Sequence, residues 1–299
     1  VKFSSAKQFI FRIVPLREFM KKTFLIGTIS LVVWLVMAQS CFTFRTADSK
    51  AIASFRQDGI ELKTVTAKED GQPIHYVQTG HDTLPTLIFI HGTPGSWNAF
   101  EIYLKDSLLR SNYRMISIDR PGFGYSNFGK AWNLADQSKL MGPVIEGFRN
   151  SQPIWLVGHS LGGPMVLQLE LDYPEIASGL VIISGSIDPA AEKPEHWRKI
   201  MDKTPLKFFL PGAFRPSNTE LIYLKTDLKI QAEQLKDIKK PIYFIHGTTD
   251  SWVPPVNVDF GLKKLVNAPR IDTLWLNGGH FIPWTEFKAI RTKLLELNP

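Results

Sequence analysis

Cysteine is nearly absent from this chain: Cys41 is the only one among 299 residues, so no intramolecular disulfide can form. At this length a single α/β domain buries a large core without cross-links, and 44% hydrophobic residues with eight tryptophans suit a globular enzyme. Low-complexity tracts and internal repeats are also missing, apart from a His-Gly-Thr triplet used twice, at His91–Thr93 and His246–Thr248. Excess charge is missing from most of the chain. The net charge is +7, yet Lys2, Lys7, Arg12, Arg17, Lys21 and Lys22 lie together near the start against Glu18 alone. The near-neutral remainder gives no reason to invoke a nucleic-acid partner. His75, His81 and His196 show no metal-ligand spacing, so no metal is expected, and no motif asks for a cofactor.

One long apolar run is present. Phe24 to Ala38 carries no charge and follows Lys21-Lys22, which reads as the basic and hydrophobic parts of a signal peptide. Cys41 comes directly after Ala38-Gln39-Ser40, and this resembles a bacterial lipoprotein processing site in which Cys41 becomes the lipidated first residue. Ala38 and Gln39 depart from the leucine and small residue usual there. An uncleaved signal anchor is a second reading, although the run is slightly short of the ~20 residues that comfortably span a bilayer. Simple secretion is a third, and the bland alternative for Cys41, a buried structural cysteine, is disfavoured by neighbours that look like a leader. Met20-Lys21-Lys22 looks like a true start, which would make residues 1–19 upstream sequence. The expected organisation is a leader or membrane anchor over 1–41, a tether over 42–57 and a catalytic domain over 58–299. The expected location is at a membrane after export across the inner membrane, as a lipoprotein or a signal-anchored protein.

Gly158-His159-Ser160-Leu161-Gly162 lies between the apolar run Pro153–Val157 and the helical pattern Pro164–Leu169. Strand, sharp turn and helix with serine at the apex is the setting of a nucleophile elbow. So tight a turn forces its apex into a sparsely populated conformation, and glycines two positions to either side remove Cβ atoms that would collide. A serine hydroxyl needs a base, the base an orienting acid, and the developing oxyanion N–H donors. His280, after Gly278-Gly279, is the candidate base. Asp250, closing the buried-strand pattern from Pro241, is the candidate acid, with Asp188 after the preceding strand as its alternative. The donors are expected to be the backbone N–H groups of Thr93, in the turn after Thr86–Ile90, and of Leu161, at the positive end of a helix. His91 and His246 are expected to be hydrogen-bonded structural histidines near the site. His159 is expected to point away from it, and Asp119 and Arg120 to stabilise a turn.

Taken together and in order, these motifs resemble the α/β-hydrolase fold-1 superfamily over about residues 58–299. The order serine, aspartate, histidine is the one this fold uses. His91-Gly92-Thr93-Pro94-Gly95 is similar to the family's His-Gly-x-Pro turn, and Asp119–Ser126 to its Asp-x-x-Gly-x-Gly-x-Ser segment. The implied fold is α/β: a mostly parallel eight-stranded sheet covered by helices on both faces, with a small helical lid. The residues read the same way. Segments 59–65 and 73–77 alternate as an edge hairpin, and short apolar runs end near Ile90, Ile118, Val157, Ile183, Ile245 and Leu276. Helical patterns at 100–109, 139–148 and 281–297 lie between or after them. Residues 185–240 break that rhythm with amphipathic pieces at 194–201, 218–225 and 230–235, and are expected to form the lid, with Trp197, Phe208, Phe209, Phe214 and Tyr223 as its apolar side chains.

The expected activity is hydrolysis of a carboxylic ester, thioester or lactone through an acyl-enzyme on Ser160, with a small-molecule acyl substrate. Epoxide hydrolases and haloalkane dehalogenases share the His-Gly-x-Pro turn but carry aspartate as nucleophile, because they displace at an sp³ carbon; Ser160 argues against both. The lid segment has no evident acidic cluster of the kind that would hold a free amino terminus, which argues against prolyl aminopeptidases. Hydrolases that cleave carbon–carbon bonds in ring-fission products use the same three residue types and stay open, as does a non-catalytic ligand-binding protein. The sequence leaves the oligomeric state open.

Overall fold

Apolar residues on consecutive positions of short strands must be buried on both sides, because successive side chains point to opposite faces. In the computed structural model, which describes residues 16–193 and 195–297, this requirement organises the whole chain. The strands are β1 (Lys63–Glu69), β2 (Gln72–Thr79), β3 (Thr86–Ile90), β4 (Arg114–Ile118), β5 (Ile154–His159), β6 (Gly179–Ile183), β7 (Ile242–Gly247) and β8 (Ile271–Leu276). They form one eight-stranded sheet in the order β1-β2-β4-β3-β5-β6-β7-β8. β2 pairs antiparallel with β1 and with β4, and every other pair is parallel.

The pleat divides each strand between two cores. Ile88, Ile90, Leu156, Ile182 and Phe244 face one core, which is closed by α5 (Leu134–Glu146), α6 (Gly162–Asp172), α8 (Phe214–Ala232) and α9 (Val256–Lys264). Leu87, Phe89, Val157, Val181 and Ile245 face the other. Around this second core lie α2 (Asp48–Gln57), α3 (Glu101–Lys105), α4 (Ser107–Asn112), α10 (Ile282–Thr285) and α11 (Phe287–Leu295). The fold is therefore the α/β arrangement with helices on both faces.

Three local expectations change. The 100–109 helix is split into α3 and α4 because Asp106 takes extended backbone and its side chain caps the Leu109 N–H of a second helix. The 281–297 helix breaks at Glu286 into α10 and α11. The edge hairpin lies further along than the alternation of 59–65 suggests: β1 runs to Glu69 and turns through Asp70-Gly71, both at positive φ, while Ile60 and Leu62 precede the strand and fill the second core.

Between β6 and β7 the chain forms α7 (His196–Met201), a 3-10 turn at Leu206–Phe209, and α8. The amphipathic pieces 218–225 and 230–235 belong in large part to the single long α8, with Leu224, Leu228 and Ala232 buried on the first core.

The N-terminal run is helical: α1 spans Leu16–Ser40, and most of its described apolar side chains stand exposed, Ala38 being buried. The reading of residues 1–19 as upstream sequence falls mostly outside the described residues. Residues 42–57 are not a loose tether. Phe42–Ala47 is hydrogen-bonded to the body, and α2 buries Ala51 and Phe55 in the second core, which explains why so short a segment shows little periodicity of its own.

Candidate active site

The carboxyl ends of the central parallel strands meet in one place, and the chain between them is shaped by steric necessity. β5 enters the Gly158–Gly162 turn and α6 leaves it, with Ser160 at φ 56°. A non-glycine residue there is strained and is held only by surrounding structure. A Cβ at Gly158 would collide with the Gly162 carbonyl, and one at Gly162 with the Ile90 carbonyl, so both must be glycine for the turn to close. The Ser160 N–H donates to the Ile183 carbonyl at 3.0 Å and its carbonyl accepts from Gly163 at 2.9 Å, which fixes the apex from both sides.

The Ser160 hydroxyl lies 3.0 Å from His280 Nε2, and His280 Nδ1 lies 2.8 Å from Asp250 Oδ2. A carboxylate only accepts, so Nδ1 carries the imidazole proton and Nε2 is free to accept from the serine. Asp250 Oδ1 accepts from the Trp252 and Val253 N–H groups at 3.0 and 2.8 Å. Burial raises the Asp250 carboxyl, but the His280 and Val253 hydrogen bonds outweigh it and leave Asp250 below the ordinary aspartate value. Asp188, the alternative acid, is bonded elsewhere in this structure: its side chain accepts from Ala190 N–H at 2.7 Å and its backbone N–H donates to Asn257.

Gly92 sits directly against the elbow, where a Cβ would lie 2.8 Å from Ser160 Cβ. The next residue is Thr93. Among the described residues neither the Thr93 nor the Leu161 N–H is engaged in the backbone hydrogen bonds of the turns and loops. Helix α6 begins at Gly162, so Leu161 lies at its positive end.

The other histidines separate by role. His91 accepts from Arg120 N–H at Nε2 and donates from Nδ1 to the Gly92 carbonyl; burial and the Arg120 charge hold it well below its usual value, hence neutral. His246 donates to the Val253 carbonyl at 2.9 Å and burial lowers it. His159 does not point away from the site. Its Nε2–H donates to the His280 carbonyl at 3.0 Å, its ring lies 4.9 Å from the His280 ring, and burial followed by the His280 charge pushes it down to about 3. Motif reading assigns no role to this variable position of the elbow. Trp252, 69% exposed, stacks over His280 at 5.5 Å, and only its place two residues after Asp250 hints at that in the sequence.

Asp119 is fully buried and accepts from Trp97 N–H, Tyr125 N–H and His75 Nδ1, as a turn-stabilising group should. Arg120 reaches further than a turn. It donates to the His91 and Gly92 carbonyls, to Gln137, and by both terminal nitrogens to Glu220 on α8. Nothing local in the sequence signals Glu220. Among the described residues no group of three or more His, Cys, Asp or Glu side chains could hold a metal ion.

A family profile described as alpha/beta hydrolase fold matches residues 85–221. Epoxide hydrolase 1 of Caenorhabditis elegans is 35% identical over 111 residues, which is 36% of this chain and 27% of that protein. The 2-hydroxy-6-oxononadienedioate/2-hydroxy-6-oxononatrienedioate hydrolase of Burkholderia vietnamiensis is 25% identical over 78% of this chain and 94% of its own length. Cfl2 from Burkholderia cenocepacia superposes with a TM-score of 0.64 at 17% identity, covering 80% of this chain and 96% of that one. The eight-stranded sheet and the superposition show the α/β-hydrolase fold, and the profile of that fold matches residues 85–221.

Proposed function

We propose that the protein is a serine hydrolase that cleaves a carboxylic ester, thioester or lactone through an acyl-enzyme on Ser160. The observation that carries this reading is the unbroken hydrogen-bond line from Ser160 Oγ through His280 to Asp250, at 3.0 and 2.8 Å. In the reaction Ser160 Oγ attacks the carbonyl carbon while its proton passes to His280 Nε2. The carbonyl oxygen becomes an oxyanion received by the N–H groups of Thr93 and Leu161, donors of a kind worth roughly two to three orders of magnitude in rate each. His280 then returns the proton to the leaving oxygen or sulfur as the tetrahedral intermediate collapses. Water repeats the sequence on the acyl-enzyme and frees the acid. Asp250 stays ionised throughout, holds the imidazole tautomer and offsets its transient positive charge. The segment from Ser184 to Lys240 acts as the lid.

The nucleophile separates this chain from epoxide hydrolases despite the local identity to one, because opening an epoxide in that family runs through a carboxylate and the apex here is serine. Cleavage of a carbon–carbon bond remains a second reading, favoured by the likeness to the Burkholderia vietnamiensis enzyme over 94% of its length. Membrane attachment forms part of the same proposal, through α1 itself or through a lipid on Cys41.

Fluorophosphonate labelling of the full chain with peptide mapping tests the reading. Labelling confined to Ser160, and lost in Ser160→Ala and His280→Ala, is the expected result. An ester and thioester panel run beside a vinylogous ring-fission diketone then decides between the two substrate classes. A folded protein that takes no label would be a ligand-binding relative without turnover.

A further inference from the structure

α1 has the composition of a helix meant for lipid. The most apolar 18-residue window of Arg17–Ser40 has a mean hydropathy of 1.8, and 6% of it is buried. At 1.5 Å per residue it is about 36 Å long, enough to cross a bilayer of ~30 Å. Its far end is bolted to the segment between β6 and β7. The Ala38 carbonyl accepts from Gly212 N–H at 2.6 Å, and the Phe42 carbonyl from Ala213 N–H at 2.9 Å. Gln39 donates to the Phe208 carbonyl and accepts from Arg215. A Cβ at Gly212 would collide with the Cys41 carbonyl, and the Phe42 and Phe44 rings pack on Phe214 at 6.2 and 6.3 Å. Beyond that, the Phe44 carbonyl accepts from Ser96, three residues after Thr93, at 2.7 Å, and Arg45 donates to the Gly124 carbonyl at 2.6 Å. The contacts of Phe42, Phe44 and Arg45 are common to both modes of attachment, whereas those of Ala38 and Gln39 exist only while α1 remains.

The segment that receives α1 carries a further feature, sharing Phe208, Phe214 and Arg215 with the junction. Trp197, Ile200, Phe208 and Phe214 are 39–57% exposed, in a stretch that also holds Arg198, Lys199, Lys203, Lys207 and Arg215. Arg198 lies over the Trp197 ring at 4.6 Å, and Lys207 and Arg215 lie against Phe208 at 5.5 and 5.6 Å. Exposed aromatics carrying basic groups match the boundary between acyl chains and anionic headgroups, where the ring enters and the charge stays with phosphate. A second exposed aromatic group, Trp252, Phe281 and Trp284, borders His280, so apolar surface also lies at the mouth of the site.

We propose that residues 196–215 lie on an anionic lipid bilayer, held there by their junction with α1, and that the substrate is a membrane-borne acyl ester delivered to Ser160 from that surface. The substrate half rests on the serine hydrolase reading; the docking half does not.

The test uses the full chain reconstituted in phosphatidylcholine vesicles with and without phosphatidylglycerol. Hydrolysis of a long-chain glyceride embedded in the bilayer is compared with that of a soluble butyrate ester, for wild type and for Lys199→Glu/Lys203→Glu/Lys207→Glu. The expected result is a fivefold or greater loss on the embedded ester with the soluble ester within twofold, and a wild-type preference for anionic vesicles. Equal rates for both proteins on the embedded ester, or cleavage of the soluble ester alone, overturn the proposal. Docking is read separately, from quenching by lipids brominated on the acyl chain. The emission lost on Trp197→Phe is expected to be quenched by half or more in wild type, and an unquenched Trp197 component overturns the docking whatever the activity. If Ser160 takes no fluorophosphonate and neither ester is cleaved, the hydrolase reading and the substrate half fall together, and the quench decides docking alone.

Discussion

Arg120 and Glu220 form a buried, two-pronged ion pair at 2.9 and 3.0 Å that joins α8 to the turn carrying Thr93. Arg120 is fully buried and Glu220 is 3% exposed, so neither charge has water as an alternative partner. The same guanidinium holds the His91 and Gly92 carbonyls at 2.8 and 3.0 Å, and through them the backbone next to Ser160. One residue thus couples α8 to the loop that carries Thr93.

Removing one partner leaves the other charged and buried. Glu220→Ala is expected to cost about 3–5 kcal/mol of stability. The apolar pair Arg120→Leu/Glu220→Leu should cost less than the sum of its single changes, but should still lower kcat because the Gly92 carbonyl loses its donor. Thermal unfolding and a double-mutant cycle measure the first point, and ester turnover the second. Additive single changes would mean that the ion pair is not the link.

Asp250→Asn keeps the shape of the acid and removes its charge. With the wrong imidazole tautomer favoured, kcat is expected to fall by about 10³- to 10⁴-fold with little change in melting temperature. Asp188→Asn should remain within about threefold of wild type, since its carboxylate is occupied by Ala190 N–H. Steady-state kinetics on one reactive ester compares the two, and the reverse ranking would reassign the acid.

His159 acts on His280 through the backbone. Replacing it with leucine removes the donor to the His280 carbonyl, and the expected cost is about 1–2 kcal/mol of stability and roughly tenfold in kcat. Burial holds the His159 imidazole down at about 3, so it is neutral between pH 5 and 9. The pH–rate profile of His159→Leu should therefore keep the wild-type shape between pH 5 and 9. A shifted profile would show that His159 titrates with the site.

Glu170 offers a test of stability against pH. Burial pushes this carboxyl up to about 8, and one of its oxygens has no hydrogen-bond partner among the described residues. The folded state keeps the proton to higher pH than the unfolded chain does, so stability falls as pH rises from the ordinary glutamate value through about 8. Glu170→Gln removes that penalty. The gain is expected to be about 4–5 kcal/mol at pH 9 and under about 1 kcal/mol at pH 5, read by denaturant unfolding at the two pH values. A gain independent of pH would place the charge in water.

Strands and elbow were legible in the chain by itself because both follow from local rules. A run such as Leu87–Ile90 with no polar member must be covered on both faces, and β3, β4, β6 and β8 end at the residue where the apolar run ends. Gly158 and Gly162 are demanded by backbone sterics within five residues of Ser160. Ser160, Asp250 and His280 could be named because each follows a parallel strand closely, after His159, Gly247 and Leu276, and the carboxyl ends of parallel strands share one edge of the sheet. What tertiary structure alone decided involves partners distant in the chain. Glu220 lies 100 positions from Arg120, His159 lies 121 from His280, and Gln39 lies 169 from the Phe208 carbonyl it binds. None of these pairings leaves a periodic or steric trace near either partner. The helix breaks at Asp106 and Glu286, and the order hidden in residues 42–57, belong to the same group, because there packing against distant elements outweighs local propensity.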